Sequence, residues 1–209
     1  MNARTSSSPA HTPPRVLPEV RGHGLCLRAW DPESRADVET WLRGLTDPEF
    51  RRWNTPLHPI VDADGARESP RRGARRVADG TGAPFRIAGA GTGTAPGHVG
   101  VDGIHPVPRR AAVGYWVLPE ARGRGVATRA LRLVAHRAFT GPGPHRLEPD
   151  HAVGHGASCR TAGRCGFRHE GTMRGALFED GRYDAFRDAH LHARLATDPE
   201  PVLRATATP

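Results

Sequence analysis

GYWVLPEARGRGVATRALRLVAHRA, residues 114–138, decides how this chain is to be read. An apolar run from Val113 to Leu118 stops at Pro119, a turn rich in Arg and Gly follows, and the pattern then becomes helical. Strand, loop and helix in that order build an anion site. The first turn of a helix carries amide N–H groups without intrahelical partners, and the helix dipole adds partial positive charge there. Gly123 and Gly125 carry no Cβ to obstruct close approach, and Arg122 and Arg124 add two cations. Two familiar nucleotide loops are excluded. A Walker loop needs Lys, and the chain has none; a Rossmann fingerprint needs a third Gly, and Thr128 stands there instead.

Outward from this stretch, the pattern gives one domain. Leu25 to Trp30 reads as a first strand ended by Asp31-Pro32, followed by a helix capped by Ser34 and running to Leu45, with Val38, Trp41, Leu42 and Leu45 on one face. Trp41 is expected in the core. Asp47 to Trp53 fits a second short helix. Residues Asp62 to Asp79 carry Gly65, Pro70 and Gly73 and are expected to form a broken helix or a mobile segment, because an interior Pro costs roughly 3 kcal/mol relative to Ala. Strands are expected at Phe85–Ala88, His98–Ile104 and Arg110–Leu118. The central helix from Gly125 to Phe139 buries Val126, Ala130, Leu133, Val134 and Ala138, and Gly141-Pro142-Gly143-Pro144 closes it. A strand begins at His145, a short helix spans Ala157 to Cys165, and two strands, from Phe167 and from Arg182 to Leu195, flank an Asp180-Gly181 hairpin turn. The sum is an α/β (α+β) sandwich with a mixed sheet of six to seven strands. Residues 1–20 read as a disordered arm, 21–196 as the domain and 197–209 as a loose tail.

The 209 residues include 37% hydrophobic side chains, low enough to leave part of the chain outside any core. The net charge of +8 invites nucleic acid as partner, but all 30 basic residues are Arg, as codon bias would give, and no basic run is interleaved with aromatics. Nucleic acid is therefore not the expected partner. Three cysteines, Cys26, Cys159 and Cys165, do not make a disulfide scaffold, and no run is apolar and long enough to span a bilayer. The expectation is a cytoplasmic protein, monomeric or homodimeric.

Arg122-Gly-Arg-Gly125-Val-Ala127 matches R-x-x-G-x-A and resembles the acyl-CoA pyrophosphate loop of the GNAT (Gcn5-related) N-acetyltransferases. A second motif stands some thirty residues on. His155-Gly-Ala157-Ser158-x-x-x-Ala162-x-x-x-Gly166-Phe167-x-x-Glu170-Gly171 is similar to N-x-A-S-x-x-x-A-x-x-x-G-F-x-x-E-G of the RimJ/RimL-like branch, and the resemblance covers about Leu25 to Leu195. It implies the GNAT fold, acetyl-CoA as co-substrate and no metal. The pantetheine arm would lie along Trp116, Val117 and Leu118, and the pyrophosphate on Arg122, Gly123, Arg124, Gly125, Val126, Ala127 and Thr128. The acceptor would be a primary amine: a protein N-terminus, an amino acid, a polyamine or an antibiotic.

By the same resemblance Ser158 is the candidate proton donor to the leaving thiolate; read from the residues alone, it is equally a helix-start hydroxyl bonded to backbone. His155 stands where the branch usually has Asn, and either donates similarly or accepts a proton from the acceptor ammonium. Glu148, Glu170 and Glu120 are the carboxylates available as base. Two rivals have their own motivation. The altered second motif would suit an acyl-CoA-binding or regulatory domain without turnover. The pattern His151, His155, Cys159, Cys165 and His169 contains zinc-ligand spacings, with His151, His155 and Cys159 sharing a face if one helix carried them.

Overall fold

The computed structural model describes residues 17–91, 93–140 and 143–201. Two strands, β1 (Val20–Gly22) and β2 (Leu25–Arg28), form a hairpin, and three helices follow: α1 (Arg35–Thr46), α2 (Pro48–Trp53) and α3 (Ala63–Asp79). A meander of β3 (Gly82–Gly89), β4 (Gly97–His105) and β5 (Arg110–Val117) leads through a 3-10 turn, Pro119–Ala121, into α4 (Val126–Phe139). Then come β6 (Arg146–Glu148), β7 (Asp150–Ala152), α5 (Gly156–Arg164), β8 (Arg168–Glu179) and β9 (Arg182–Leu195). The sheet order is β1-β2-β3-β4-β5-β6-β9-β7, with β8 on β9.

All pairings are antiparallel except β5 with β6, which α4 bridges. That pair is also where the sheet opens. Register runs only from Arg110↔Arg146 to Ala112↔Glu148; beyond it β5 continues to Val117 while Pro149 breaks the neighbouring strand into β6 and β7. Pro lacks the N–H a continuous ladder needs. The single strand expected at His145 is thus two, both paired to β9, and with β1 the count rises to nine.

One face of the sheet carries the main core, in which Phe85, Ile87, Val99, Val101 and Val113 pack against Val126, Ala130, Leu131 and Val134 of α4. On the other face Trp30, Val38, Trp41, Ile60 and Ala66 form a second cluster under α1 and α3, with Trp116 against it. Trp41 is in the core as expected. Asp37 fastens α1 to the sheet: its buried carboxylate accepts from the Asp31 amide at 3.1 Å and pairs with Arg86 at 2.9 Å.

Three expectations need correction. Residues 63–79 form one continuous helix, not a broken one. Asp62 caps it by accepting from the Gly65 amide at 2.8 Å, and Gly80 ends it at φ +72°. Its interior breakers are buried: Pro70 lines a crevice with Trp30 and Pro84, and a Cβ on Gly73 would lie 2.9 Å from Pro84 Cγ, so Gly73 is what lets α3 approach β3. Packing offsets the propensity cost here. Secondly, β1 begins at Val20, inside the segment assigned to an arm; residues 1–16 lie outside the described residues. Thirdly, residues 197–201 are tied down. Arg132 donates to the Pro201 carbonyl at 2.7 Å, and the buried Arg194 pairs with Glu200 at 3.1 Å. Residues 202–209 of that tail, and Gly141 and Pro142, lie outside the described residues.

Candidate active site

The cleft begins where β5 and β7 diverge. Its cavity of about 170 Å³ is lined by Tyr115, Trp116 and Val117 of β5, Arg122 and Ala127 of the loop and α4, and His155, Ala157, Ser158 and Thr161 of α5. Glu49, Phe50, Trp53 and Asn54 of α2 close the opposite wall. Past Ala112 the edge of β5 that faces this cleft has no strand partner among the described residues, so backbone donors and acceptors there are available to an extended ligand.

The glycine loop takes the form its composition demands. Gly123 and Gly125 have φ of +73° and +67°, a left-handed conformation that side chains rarely adopt. Gly125 is the N-cap of α4; no side chain caps the helix, and no acidic residue occupies its first turn. The first intrahelical bond runs from the Arg129 amide to the Gly125 carbonyl at 3.0 Å, which leaves the amides of Val126, Ala127 and Thr128 without intrahelical acceptors. Open space surrounds both glycines, with nothing within 4 Å of an added Cβ. Unpaired amides at an uncapped helix start, with open space before them, are donors from which an anion can accept.

The two loop arginines differ. Arg124 is exposed beside the cradle. Arg122 turns back: its Nε donates to the Val117 carbonyl at 3.2 Å and its Nη2 pairs with Asp47. Asp47 in turn accepts from the Phe50 amide at 2.9 Å, capping α2. One carboxylate therefore joins the glycine loop to the helix across the cleft. Leu118 is buried, its amide donating to the Pro96 carbonyl at 2.8 Å. Trp116 points away from the main core into the second cluster, where a Cβ on Gly44 would lie 2.3 Å from its ring.

Ser158 is in the first turn of α5, part-buried on the cavity wall. Its carbonyl accepts from the Tyr115 hydroxyl at 3.2 Å, a strut between β5 and α5 across the mouth of the divergence. Burial raises the Tyr115 hydroxyl far above its ordinary range, so it stays protonated and remains a donor. His155 is the N-cap residue of α5, yet its side chain makes no capping bond; the ring stacks on Trp53 at 4.7 Å and 5° instead. Burial lowers its pKa to about 4, with the neighbouring His151 acting in the same direction, so the ring is neutral at physiological pH.

The carboxylates expected as candidate bases are elsewhere. Glu120 pairs with Arg43 at 2.8 Å, and Glu148 and Glu170 both pair with Arg146 at 2.5 Å; none of the three lines the cavity. Glu49 does, and it accepts from Trp53 Nε1 at 2.7 Å. The five-residue zinc pattern also fails to assemble. Gly154 breaks it at φ +91°, so His151 is on β7 and not on the helix with Cys159. Cys165 is in the main core, its thiol donating to the Thr128 carbonyl at 3.3 Å, while His155 is on Trp53 and His169 is exposed on β8.

Residues 24–168, well over half of the chain, match the acetyltransferase (GNAT) domain family. The chain belongs to the GNAT acetyltransferase family. Among its relatives is YdaF of Bacillus subtilis (strain 168), named as a proposed ribosomal N-acetyltransferase, 32% identical over 91 residues that make up 44% of this chain and 50% of YdaF. The chain spans about half the length of the curated relatives it matches. RimJ of Mycobacterium smegmatis, solved with a CoA disulfide, superposes with a TM-score of 0.74 at 26% identity over 88% of each chain. RimL, a ribosomal L7/L12 alpha-N-protein acetyltransferase solved with coenzyme A, gives 0.74 at 22% identity over 85% of this chain and 98% of its own. The GNAT fold suggested by the two sequence motifs is therefore that of the chain, and proteins named RimJ and RimL are among the solved structures it resembles.

Several wall residues carry no sequence signal. Trp53 and Glu49 sit on a helix that is legible as a helix, but nothing in the sequence turns it toward the loop. Thr161 had a signal, its i+3 spacing from Ser158, and Tyr115 had one too, since it alternates with Trp116 on the strand that leads into the glycine loop.

Proposed function

We propose that this GNAT chain is an acetyl-CoA-dependent N-acetyltransferase of the RimJ/RimL type whose acceptor is a protein α-amine, acting in the cytoplasm. The carrying observation is the uncapped start of α4, with left-handed glycines before it, opening on the same cleft as Ser158. The amides of Val126, Ala127 and Thr128 and the Arg124 guanidinium would hold the pyrophosphate, and the free edge of β5 around Val117 would pair with the pantetheine amides. When bound, acetyl-CoA supplies an activated thioester carbonyl.

The chain's own groups then have defined work. Transfer needs a neutral amine, donors toward the developing oxyanion and a proton for the departing sulfur. Ser158 stands at the cofactor side as the hydroxyl able to pass that proton. Glu49 is the cavity carboxylate able to take the proton released by the amine, directly or through water. His155, neutral and stacked, shapes the acceptor side and carries no charge at pH 7.

The acceptor class rests on the form of the far wall. The β8–β9 hairpin, closed by Asp180-Gly181 with both φ positive, is pinned to the segment after α2 by Gly181 N–H to Thr55 Oγ1 at 2.9 Å and Tyr183 O–H to the Pro56 carbonyl at 2.8 Å. The exposed Tyr183 and Phe186 stand beside it, a broad surface suited to a peptide more than to an enclosed small molecule. Names of relatives point the same way, since YdaF and RimL are described by ribosomal acceptors. The test is release of free CoA thiol on incubation with acetyl-CoA and either N-terminal peptides of ribosomal proteins or a panel of polyamines, amino acids and aminoglycosides. Turnover confined to the small amines would refute the peptide assignment.

A further inference from the structure

Behind α5, on its sheet side, four side chains converge that acetyl transfer does not use. His151 on β7, His190 and His192 on β9 and Cys159 on α5 place one ligand atom each so that all lie within 4.8 Å of one another. The register explains the convergence. His151 pairs directly with His190, and side chains two apart on β9 share a face, so three imidazoles point to one side and α5 lays Cys159 over them.

The cluster differs from an ordinary packed group of histidines in one respect. Nε2 of His151 is buried without a hydrogen-bond partner, and the residue is only 7% exposed. A buried lone pair or N–H left unmatched is destabilising, and this one belongs to a residue of the four-membered cluster. The opposite ring nitrogens are already engaged in the manner that orients metal-bound histidines. His151 Nδ1 is 3.2 Å from the Ala152 carbonyl and His192 Nδ1 is 3.3 Å from the Phe167 carbonyl. With Nδ1–H donating to those carbonyls, each Nε2 presents a lone pair to the centre. His192 Nε2 stands 3.7 Å from Cys159 Sγ.

We propose that His151, Cys159, His190 and His192 form a structural zinc site, independent of the acetyltransferase assignment. A tetrahedral ion with Zn–N of about 2.0–2.1 Å and Zn–S of about 2.3 Å needs ligand atoms roughly 3.3–3.8 Å apart, so atoms that lie within 4.8 Å of one another must close by at most about 1.5 Å. The donor set suits zinc: three neutral imidazoles and one thiolate, with no carboxylate that would favour magnesium or calcium. Binding displaces the Cys159 thiol proton to solvent and gives the thiolate to the metal. Four protein ligands leave no open position, so the ion fixes structure: it ties the first half of α5, where Ser158 precedes Cys159, to β7 and β9. Only His151 and Cys159 of the zinc-like sequence pattern belong to it; the other two ligands come from a strand some thirty residues further on.

The test uses the full, untagged chain, stripped with a chelator under reducing conditions. Zinc is titrated in competition with a chromophoric chelator, and cobalt(II) reports the ligand set through its tetrahedral visible bands and its thiolate charge-transfer band. One equivalent should bind; Cys159→Ser should abolish the charge-transfer band, and Cys159→Ser and His190→Ala should each weaken zinc by at least about tenfold, as loss of even an outer-sphere partner does. The exposed His105→Ala, on β4 and away from the cluster, should bind as wild type does. Melting of each metal-free variant shows whether it is folded, and the cobalt spectrum of the wild type reads the thiolate ligand without any substitution. Substoichiometric binding, a cobalt spectrum without thiolate character, or zinc affinity unchanged in folded Cys159→Ser and His190→Ala would overturn the site.

Discussion

His155→Asn separates two roles that a histidine at this position can hold. Its pKa near 4 leaves about one ring in a thousand protonated at pH 7, too weak a base to take a proton from an ammonium of pKa roughly 7.7–8.0. A general base contributes typically 10²–10⁴-fold. The structure assigns His155 packing on Trp53, so the variant should lose less than about tenfold in kcat and keep the acid limb of its pH profile, which belongs to the acceptor amine. Stability carries a second signature. Loss of the stacked pair costs about 0.5–1.5 kcal/mol at pH 7. The wild-type ring, however, is lowered from 6.5 in the unfolded chain, so its contribution is full above pH 6.5 and is lost as pH falls toward 4. At pH 5 that loss would reach about 2 kcal/mol for a fully shielded ring, and solvent screening of this part-buried one reduces it to about 1 kcal/mol. The variant, less stable at pH 7, should therefore draw level with wild type near pH 5 in urea melts. A drop of a hundredfold or more in kcat, with displacement of the acid limb, would refute the argument.

Asp47→Ala removes both the α2 cap and the tether on Arg122, and should cost about 2 kcal/mol in a urea melt while raising the acetyl-CoA Kd severalfold by calorimetry; unchanged affinity would show that α2 and the loop are not coupled. Gly44→Ala forces a Cβ to within 2.3 Å of the Trp116 ring, so a change that ordinarily favours a helix by about 1 kcal/mol should lower the melting temperature instead. Mild acid should lower wild-type stability steeply, because His98, buried and accepting from Trp30 Nε1 at 3.0 Å, has its pKa lowered to about 3. Its stabilising neutral form is shared with the unfolded chain only above pH 6.5, and His98→Gln should flatten the loss below that pH.

The sequence makes legible those parts of the molecule that short-range rules govern. Gly123 and Gly125 announce the left-handed turn because few other residues adopt it, Ser34 and Asp180-Gly181 mark a helix start and a hairpin, and the period of α4 gives its buried face. What stays hidden depends on contacts between distant segments. Gly73 and Pro70 read as breakers until Pro84 and Trp30 are seen against them. Glu49 reads as a surface acid until α2 is seen facing the glycine loop, held there by an Asp47–Arg122 pair 75 residues apart. Likewise His190 and His192 read as alternating strand residues, and only the β7–β9 register places them with His151 and Cys159.

The central claim is that the start of α4 binds the pyrophosphate of acetyl-CoA, and calorimetric titration of wild type and Gly125→Asp tests it most directly. Nothing lies within 4 Å of the new Cβ, and the left-handed backbone costs a non-glycine residue about 1–2 kcal/mol, less for Asp, so the variant should fold. Its carboxylate would occupy the anion position at the helix start. Wild type should bind acetyl-CoA at one site and Gly125→Asp at least about tenfold more weakly, more than 1.4 kcal/mol in binding free energy. Equal affinity in the two proteins, or no binding by the wild type, would contradict the account.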